Sequence, residues 1–324
     1  MHSQKEIAFQ AGVSLATVDR VQHARAGVRA ATKARVEAAM RELDRQADRH
    51  ALDGKRLALD VIIEAPARFS TAVCDAFEAE LEGLRPASLR LRFHLVERFE
   101  TADLLALLRQ IRRRGTHGII AKLPDTALVH AEMTRCQKAR IPLVSFVTDL
   151  NVSGRAAYIG MDNVAAGRIA AYLVGKAGGA ETVLVSLSSR GFAGEVERVR
   201  AFEAALADRR VIVVAGGMGR PEETKRLVRE AAAGHKISAV YSAGGANEAI
   251  LAALPMRPDL YVGHDLDRDN RALLVEGRID FVIHHDLRVD ARHACQHILK
   301  AHRLLPQDYA IAGSAIQLAT PFNM

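Results

Sequence analysis

The first fifty residues have the pattern of short helices separated by tight turns. Ser3 and Glu6 have the S-x-x-E spacing of a capping box, which predicts a helix over residues 4–10. Gly12 can adopt a positive φ at no steric cost, and Ser14 is a good N-cap for a second helix that begins with the next residue. The pattern therefore predicts two short helices joined by a tight turn.

A third helix is predicted to close a small core over the first two. Thr32 is its expected N-cap, and Val36, Met40 and Leu43 recur at i, i+4 and i+7 behind it. Small apolar residues in the first two helices allow them to cross closely, as a helix-turn-helix requires. These small residues are Ala8, Val13, Val18 and Val21.

The remainder of the chain alternates between strand-like and helix-like runs. Residues 43–57 are polar and charge-dense and include Gly54, which predicts a linker and a domain boundary. Strand-like runs then alternate with helix-like runs in two successive series, which predicts two α/β lobes, each with a mostly parallel sheet covered on both faces. The strand-like runs are LALDVII, LRFHLV, HGIIAKL and IPLVSFV in the first series and TVLVSL, RVIVVAG, AVYSAG, LYVGHDL and DFVIHHD in the second.

Composition agrees with a folded protein that has a polyanionic partner. The 324 residues are 49% hydrophobic, with a mean hydropathy of +0.00 and a formal net charge of +7. Residues 1–56 contain 11 Lys and Arg against 7 Asp and Glu, so a sixth of the chain carries +4. This excess lies in the segment that is predicted to be a helix-turn-helix, where DNA would bind.

Cysteine usage and hydropathy indicate the compartment. Cys74, Cys136 and Cys295 are far apart and odd in number, which favours reduced thiols over a disulfide framework. The amino terminus has no apolar stretch of signal-peptide length, and no apolar run reaches the length of a membrane span. We therefore expect a cytoplasmic protein with no membrane partner.

The amino-terminal motifs resemble those of a known family. The stretch A-G-V-S-x-x-T-V-x-R-V, followed by T-x-x-x-V-x-x-A-M-x-E-L, resembles the DNA-binding headpiece of the LacI/GalR family of bacterial transcription regulators. The resemblance implies that the second helix enters a DNA groove. The implied DNA-binding residues are Ser14, Leu15, Ala16, Thr17, Asp19 and Arg20.

The resemblance continues through the two lobes and implies a domain organisation. Residues 57–324 are similar to the effector-binding core of the family, which has the fold of type I periplasmic binding proteins. The implied fold class is a small all-α helix-turn-helix headpiece followed by a two-lobed α/β core. The expected boundaries are 1–45 for the headpiece, 46–56 for a linker or hinge, 57–159 with 286–312 for lobe 1, and 160–285 with 313–324 for lobe 2.

Ligand in this fold binds between the lobes, at the carboxyl ends of the strands. Polar or aromatic residues that follow the strand-like runs are therefore effector-binding candidates: Phe69, Asp149, Arg198, Asn247, Asp265 and His285. Arg198 matches the family's E-R-x-x-[GA]-[FW] pattern, for which Arg200 competes, and Asp265 matches its V-G-x-D motif. Asp149 lies about two residues beyond the family's usual cleft aspartate, where this chain has Val147. His284, beside His285 in a strand, is expected to point the other way.

Other chemistries have weak support in the sequence. The chain lacks an H-E-x-x-H zinc motif, a G-x-G-x-x-G or Walker A phosphate loop, and a G-x-S-x-G nucleophile elbow. No metal, cofactor or catalytic residue is predicted. The run RQIRRRG at residues 109–115 is interpreted as a solvated helix end, because basic residues there complement the helix dipole.

These observations predict a DNA-binding regulator that binds an operator as a homodimer. A small carbohydrate-like effector, either a sugar, a polyol or a sugar acid, is expected to change operator affinity by binding between the lobes. The favoured mode of regulation is repression that an inducer relieves, while corepression and activation stay open. The alternatives are a sugar-binding protein of a transport system, which would share the core fold, and a sugar-modifying enzyme, for which suitably spaced catalytic groups are lacking.

The chain departs from the family pattern in two places. The segment RQADRHALDG replaces the Pro-Asn-containing hinge segment, and Gly54 stands about where a leucine usually enters the minor groove. In the recognition helix, Leu15 and Ala16 replace residues that are often polar, and Asp19 carries the wrong charge for a phosphate-rich surface. Readout is therefore expected to depend mainly on Arg20 and on apolar contacts with thymine methyl groups.

Overall fold

The computed structural model describes residues 2–52, 56–84, 87–150, 152–177, 181–218 and 220–324. The amino-terminal unit consists of helices α1 (Gln4–Ala11), α2 (Leu15–Gln22) and α3 (Ala30–Leu52). The predicted capping box is confirmed, because the Ser3 hydroxyl accepts from the amide of Glu6 at 3.2 Å and the Glu6 carboxylate accepts from the amide of Ser3 at 2.7 Å. Gly12 has a φ of 60°, and Ser14 caps α2 through the amide of Thr17 at 3.3 Å.

The third helix differs from its prediction at both ends. It begins at Ala30, so Thr32 lies within the first turn and the predicted N-cap is wrong. Two alanines, the best helix formers, precede Thr32 and extend the helix backwards. At the other end, α3 continues through the expected linker as far as Leu52, because residues 30–53 contain neither Pro nor Gly. Residue 54 itself lies outside the described residues.

The three helices enclose one apolar core. Its buried members are Ile7, Ala8, Ala11, Val18, Val36 and Ala39. Val13, Val21, Met40 and Leu43 pack partly buried against them. The small residues predicted at the helix crossing therefore occupy it.

The remaining chain forms two parallel-rich sheets with helices on both faces. In the first part the elements are β1 (Arg56–Glu64), α4 (Ala67–Glu80), β2 (Ser88–Val96), α5 (Thr101–Arg114), β3 (Gly118–Lys122), α6 (Ala127–Lys138), β4 (Leu143–Phe146) and β5 (Ala157–Ile159). A single turn of 3-10 helix (Glu82–Leu84) precedes β2. In the second part they are α7 (Asn163–Lys176), β6 (Thr182–Leu187), α8 (Ala193–Ala205), β7 (Arg210–Ala215), α9 (Pro221–Ala232), β8 (Ala239–Ser242), α10 (Asn247–Ala253), β9 (Leu260–His264), α11 (Arg268–Val275), β10 (Phe281–His284), α12 (Leu287–Ala301) and β11 (Gln317–Ala319).

Sheet 1 has the strand order β2-β1-β3-β4-β5 and is parallel throughout. Sheet 2 has the order β11-β10-β9-β8-β6-β7, in which the short β11 runs antiparallel to β10. The central strands have apolar residues on both faces because helices cover both sides. The predicted mostly parallel α/β architecture is confirmed.

The chain passes between the two α/β units three times. The first passage joins β5 to α7, and the second joins β10 to α12, which packs on the core of sheet 1. The third returns from α12 to β11 at the edge of sheet 2. Because the strands of each sheet run parallel, their carboxyl ends gather at one edge, and the two edges face a common cleft.

Candidate functional sites

Two strands of the core end in strained backbone at the cleft. Val147, directly after β4, has a φ of 62°, and Asp265, directly after β9, has a φ of 67°. Positive φ is a true outlier for a β-branched residue such as valine. The turn is held by the amide of Val147, which donates to Ile159 at 2.7 Å, and by the amide of Thr148, which donates to Phe146 at 2.6 Å. Strain of this kind concentrates at ligand sites.

A cavity of about 60 Å³ lies between the two lobes at these strand ends. This volume holds only a few water molecules. Lobe 1 lines it with Ala65, Pro66, Arg68, Phe69, Lys122, Val147 and Thr148. Lobe 2 lines it with Ser188, Phe192, Gly194, Glu195, Arg198, Ala243, Gly244, Gly245, His264, Asp265 and Asp267.

Two buried cations line this cavity from opposite lobes. Lys122 ends β3 and is 7% exposed, while Arg198 lies on α8 and is 5% exposed. The Lys122 ammonium donates to the carbonyl of Glu64 at 3.0 Å and lies 3.7 Å from the centroid of the Phe192 ring. Burial lowers the pKa of Lys122 to about 8, against the opposing effect of nearby carboxylates. Among the described residues, neither cation has a carboxylate within 4 Å.

Two carboxylates face the same space. Glu195 accepts from the amide and the hydroxyl of Ser188 at 2.7 and 2.5 Å, and burial raises its pKa. Asp265 lines the cavity from the strained end of β9. Arg68 and Asp267 also belong to the lining, so with Lys122 and Arg198 there are three positive and three negative groups, and the charges of the wall balance.

Direct contacts join the two lobes across the cleft. Arg68 on α4 forms ion pairs with Asp267 at 3.1 Å and with Asp269 at 2.9 Å, both on the loop and helix that follow β9. Lys122 of lobe 1 lies over Phe192 of lobe 2. The structure therefore shows the lobes closed on each other.

A second cavity, of about 290 Å³, adjoins the first and shares Phe69, Asp265 and Asp267 with it. His284 and His285 both border it, with His284 partly exposed and His285 buried. The strand alternation does not reach His285, because β10 ends at His284. The Nδ1 atom of His285 bonds the buried carboxylate of Asp290, which also accepts from the hydroxyl of Ser314 at 2.7 Å.

The structure brings together some of the predicted effector residues and separates others. Phe69, Arg198 and Asp265 line the first cavity, and Phe69, Asp265 and His285 line the second. Asn247 is 2% exposed below the strand ends, where it donates to Asn270 at 2.7 Å. Asp149 accepts from the hydroxyl of Ser145 at 2.7 Å and pairs with Arg155 at 2.7 Å.

The neighbours of these candidates explain the placement. Val147, two residues before Asp149, occupies the cavity wall in its place. Ala243, Gly244 and Gly245 follow β8 directly and line the cavity ahead of Asn247. Arg200, the competing arginine, is exposed on α8.

Sequence reasoning missed several cavity residues, and among them Lys122, Phe192 and Glu195 differ in the signal that they carried. Lys122 carried a usable signal, because it is a lysine at the end of the otherwise apolar strand in HGIIAKL. Phe192 and Glu195 carried no such signal. Phe192 precedes α8 and Glu195 lies in its first turn, whereas the hydrophobic pattern predicted that this helix begins only at Arg198. Their position depends on where α8 starts, and periodicity locates helix starts poorly.

The surface of α2 has the exposure that contact with a nucleic acid requires. Ser14, Leu15, Ala16 and Arg20 are exposed, and Thr17 and Asp19 are partly buried. Asp19 is paired with Arg25 at 2.7 Å and with His23 at 3.0 Å. The Arg25 guanidinium offsets the charge that would otherwise repel phosphate.

Two other kinds of site are absent from the described part of the chain. No helix there is long and apolar enough to cross a membrane. Nor do the described residues contain a group of three or more His, Cys, Asp or Glu positioned to hold a metal ion.

A helix-turn-helix unit followed by a two-lobed α/β core defines the class of DNA-binding regulators with a ligand-binding core. Residues 3–46 match the family described as bacterial regulatory proteins, lacI family. Residues 66–301 match the periplasmic binding protein domain. The chain therefore belongs to the lacI family of bacterial regulatory proteins, with a periplasmic binding protein domain as its core. No curated protein sequence matches it closely enough to count as a relative.

Solved structures of sugar-binding proteins share the core fold. A glucose-galactose binding protein from Geobacillus stearothermophilus is 18% identical over 83% of this chain and 99% of its own, with a TM-score of 0.72. A transporter solute-binding protein from Burkholderia graminis, in complex with D-arabinose, is 18% identical over 84% of this chain and 97% of its own, with a TM-score of 0.74. A third, a transporter solute-binding protein from Bacillus halodurans with bound myo-inositol, is 17% identical over 84% of this chain and 96% of its own, with a TM-score of 0.71.

Proposed function

We propose that this protein is a cytoplasmic transcription repressor whose affinity for operator DNA changes when a small carbohydrate-like effector binds between its lobes. One observation supports the switch above all: charged groups from both lobes, Lys122 from one and Arg198 and Asp265 from the other, line a single closed cavity. A ligand that contacts both walls favours the closed arrangement, and only such differential binding can shift a conformational equilibrium.

The chemistry of the cavity favours an uncharged polyhydroxylated effector. Phe69 and Phe192 offer aromatic faces on which the CH groups of a sugar ring can pack. The Arg198 guanidinium has fixed donors, and the Asp265 carboxylate accepts from neighbouring hydroxyls. Because the cations and carboxylates balance, a sugar or polyol needs no additional counter-charge, whereas a sugar acid does. The sugars and the polyol bound by proteins of the same fold support this class.

The proposal requires the lobes to separate when the effector enters. The Arg68 ion pairs with Asp267 and Asp269 join the lobes beside the cavity, so they break when the lobes separate. Arg68 is 42% exposed, and exposed ion pairs contribute only about 0.2–1 kcal/mol each. The closed state is therefore held weakly enough to open.

The proposed organisation follows the expected boundaries. Residues 1–45 form the DNA-binding headpiece, 46–56 connect it to the core, and 57–324 bind effector and mediate homodimer formation. Lobe 1 comprises 57–159 and 286–312, and lobe 2 comprises 160–285 and 313–324. Two headpieces related by a two-fold axis would bind two half-sites of an operator.

Two measurements test this proposal. A thermal-shift screen should find a stabilising sugar or polyol, and the corresponding aldonic acid should stabilise less than its parent aldose. Selection from a pool of random duplexes should yield an operator, and adding the effector should change its affinity. Effector binding with no affinity for any duplex would instead indicate the transport-type alternative, and chemical turnover of the bound effector would indicate an enzyme.

A further inference from the structure

A face of lobe 1 far from the cleft is strongly basic. It is formed by the last turns of helices and the loops that lead into the strands of sheet 1, and we call it the amino edge. Its parts are in contact, because the ring of His302, after α12, bonds the carbonyl of His117, before β3, at 2.5 Å. The Lys and Arg of the described segments there, leaving aside Arg114, Arg135 and Arg155, which pair with Asp60, Glu132 and Asp149, are Arg56, Arg112, Arg113, Lys138, Arg140, Lys300 and Arg303.

Acidic residues are few at this edge and lie at one end. Glu78, Glu80 and Glu82 all precede the outer strand β2, and Glu80 is paired with Arg288 and Arg292. These seven basic residues belong to the middle of the edge, before β1, β3 and β4 and after α12. Arg56, Arg113, Arg140 and Arg303 are exposed, and within the described residues none of the four has a carboxylate within 4 Å.

The same edge of sheet 2 provides an internal comparison. Over the described residues, and with paired residues included, its Lys and Arg are Lys176, Arg209, Arg210, Arg229, Lys236, Arg257 and Arg278. Its acidic residues are Glu181, Glu203, Asp208, Glu230, Asp259, Glu276 and Asp280. Several are paired, as Arg257 is with Asp280 at 2.9 Å. An excess of positive charge is therefore a property of lobe 1 and does not follow from the architecture.

The headpiece is attached at this basic edge. Helix α3 ends at Leu52, and β1 begins at Arg56, so at most about 14 Å of extended chain separates the helix from the edge. Duplex DNA carries about one negative charge per 1.7 Å of its axis. Since α2 packs on α3 near Val36 and Ala39, about 20 Å of helix and this short chain separate the DNA-reading helix from the edge, so the phosphates that could reach it are those flanking the sequence read by α2.

We propose that the amino edge of lobe 1 is a second DNA-contacting surface, at which Arg113, Arg140 and Arg303 bind phosphates flanking the sequence read by α2. This inference rests on the proposed DNA-binding function and adds a contact outside the headpiece. It gives a role to the run RQIRRRG, which the sequence alone indicated as a solvated helix end. The contact supplies affinity and orientation without base specificity.

A charge-matched pair of variants tests the inference in the full chain. The test variant combines Arg113→Gln, Arg140→Gln and Arg303→Gln, and the control combines Lys176→Gln, Arg210→Gln and Lys236→Gln on the edge of sheet 2. All six side chains are exposed, so both variants should fold. Affinity for a labelled random-sequence duplex of about 40 base pairs is measured from about 50 to about 200 mM salt, where phosphate contacts dominate nonspecific binding.

The test variant should bind about ten-fold more weakly at about 100 mM salt, and its slope of log K against log salt should be shallower by about two to three, since each lost phosphate contact removes about 0.9. The control should stay within about two-fold of the unmodified chain with the same slope. Equal losses in both variants, or no loss in the test variant, would overturn the second surface. An unmodified chain with no affinity for duplex DNA would instead overturn the proposed function, and the inference with it.

Discussion

The Nε atom of Arg198 donates to Oδ1 of Asn163 across 2.8 Å, and this bond ties the cavity wall to the first passage between the lobes. Asn163 in turn donates to the hydroxyl of Tyr158 at 3.3 Å, which lies 3.2 Å from the carbonyl of Val147 and 3.1 Å from that of Met161. Burial raises the pKa of Tyr158 to about 12, so the hydroxyl keeps its proton. A ligand that moves Arg198 therefore acts directly on residues 158–163, the first passage between the lobes.

Replacing Asn163 should break the hydrogen bonds that connect Arg198 to Tyr158. Asn163→Ala leaves Nε of the buried Arg198 without its acceptor, which costs about 1–3 kcal/mol and should weaken effector binding about ten-fold. Asn163→Asp keeps an acceptor for Arg198 and should retain more affinity than the alanine variant. Calorimetric titration with the effector from the thermal-shift screen measures both. Equal affinities for the two variants would show that the bond to Arg198 does not position it.

Helices α7 and α8 cross at Gly167, and this crossing should not tolerate a methyl group. A Cβ at Gly167 would clash with the carbonyl oxygen of Arg198 and reach 3.0 Å from Cβ of Ala201. Gly167→Ala should therefore lower the free energy of unfolding by about 1–3 kcal/mol, as overpacked cores do. Gly175 on the same helix is the matched control, because its Cβ would meet Leu206 at an ordinary 3.7 Å.

Urea denaturation compares the two glycine variants directly. Gly175→Ala should be neutral or up to about 1 kcal/mol more stable, because alanine has the higher helix propensity. If both substitutions proved equally tolerated, the close crossing of α7 and α8 would be contradicted. The test needs neither effector nor DNA.

The ammonium of Lys122 should make stability depend on pH above about 8. Its pKa is about 8 in the folded chain, below the usual value of a free lysine, so between these values the unfolded state binds more protons. Stability then rises with pH across this window, because the cost of burying the charge disappears. Lys122→Met removes that titration.

The difference between the two proteins isolates the contribution of Lys122. The melting temperature of the unmodified chain, relative to Lys122→Met, should increase from about pH 7.5 to about pH 10. At pH 7 the methionine variant should be the more stable protein when effector is absent and should bind effector more weakly. A melting-temperature difference that stayed constant over this range would show that Lys122 is not buried as a charge.

Arg20 should carry much of the base-specific readout by α2. It is exposed, and its guanidinium can donate two bonds to a guanine. Arg20→Ala should cost about 1–3 kcal/mol on the selected operator and relax the preference at one base pair per half-site. Binding to random duplex serves as the control. Equal losses of affinity for operator and for random DNA would show that Arg20 contacts only phosphate.

How much could be predicted depended on the physical origin of each feature. Capping at Ser3 and Ser14 is local, so it could be predicted from residue spacing. Strands buried on both faces were evident as apolar runs. Short elements were not: α11 has only two buried apolar residues, Leu273 and Leu274, and the antiparallel β11 is three residues long.

Site residues were predictable where a motif fixed them and not where the fold brought distant positions together. Arg198 and Asp265 followed from strand ends and family pattern. The contact between the Lys122 ammonium and the Phe192 ring depends on closure of the two lobes, and no local sequence pattern contains that information. Asn247 shows the converse, because it is the first residue of α10, two positions beyond the cavity residue Gly245, and is buried in a hydrogen bond with Asn270.

Operator binding measured at several effector concentrations, for the unmodified chain and for Arg198→Lys, tests the central claim most directly. Arg200→Lys, on the exposed side of the same helix, is the matched control. If effector between the lobes switches DNA affinity, Arg198→Lys should keep its operator affinity without effector and need about ten-fold or more effector for the same response, while the control responds normally. A response midpoint that Arg198→Lys leaves unchanged, or an operator affinity that effector never alters in the unmodified chain, would contradict it.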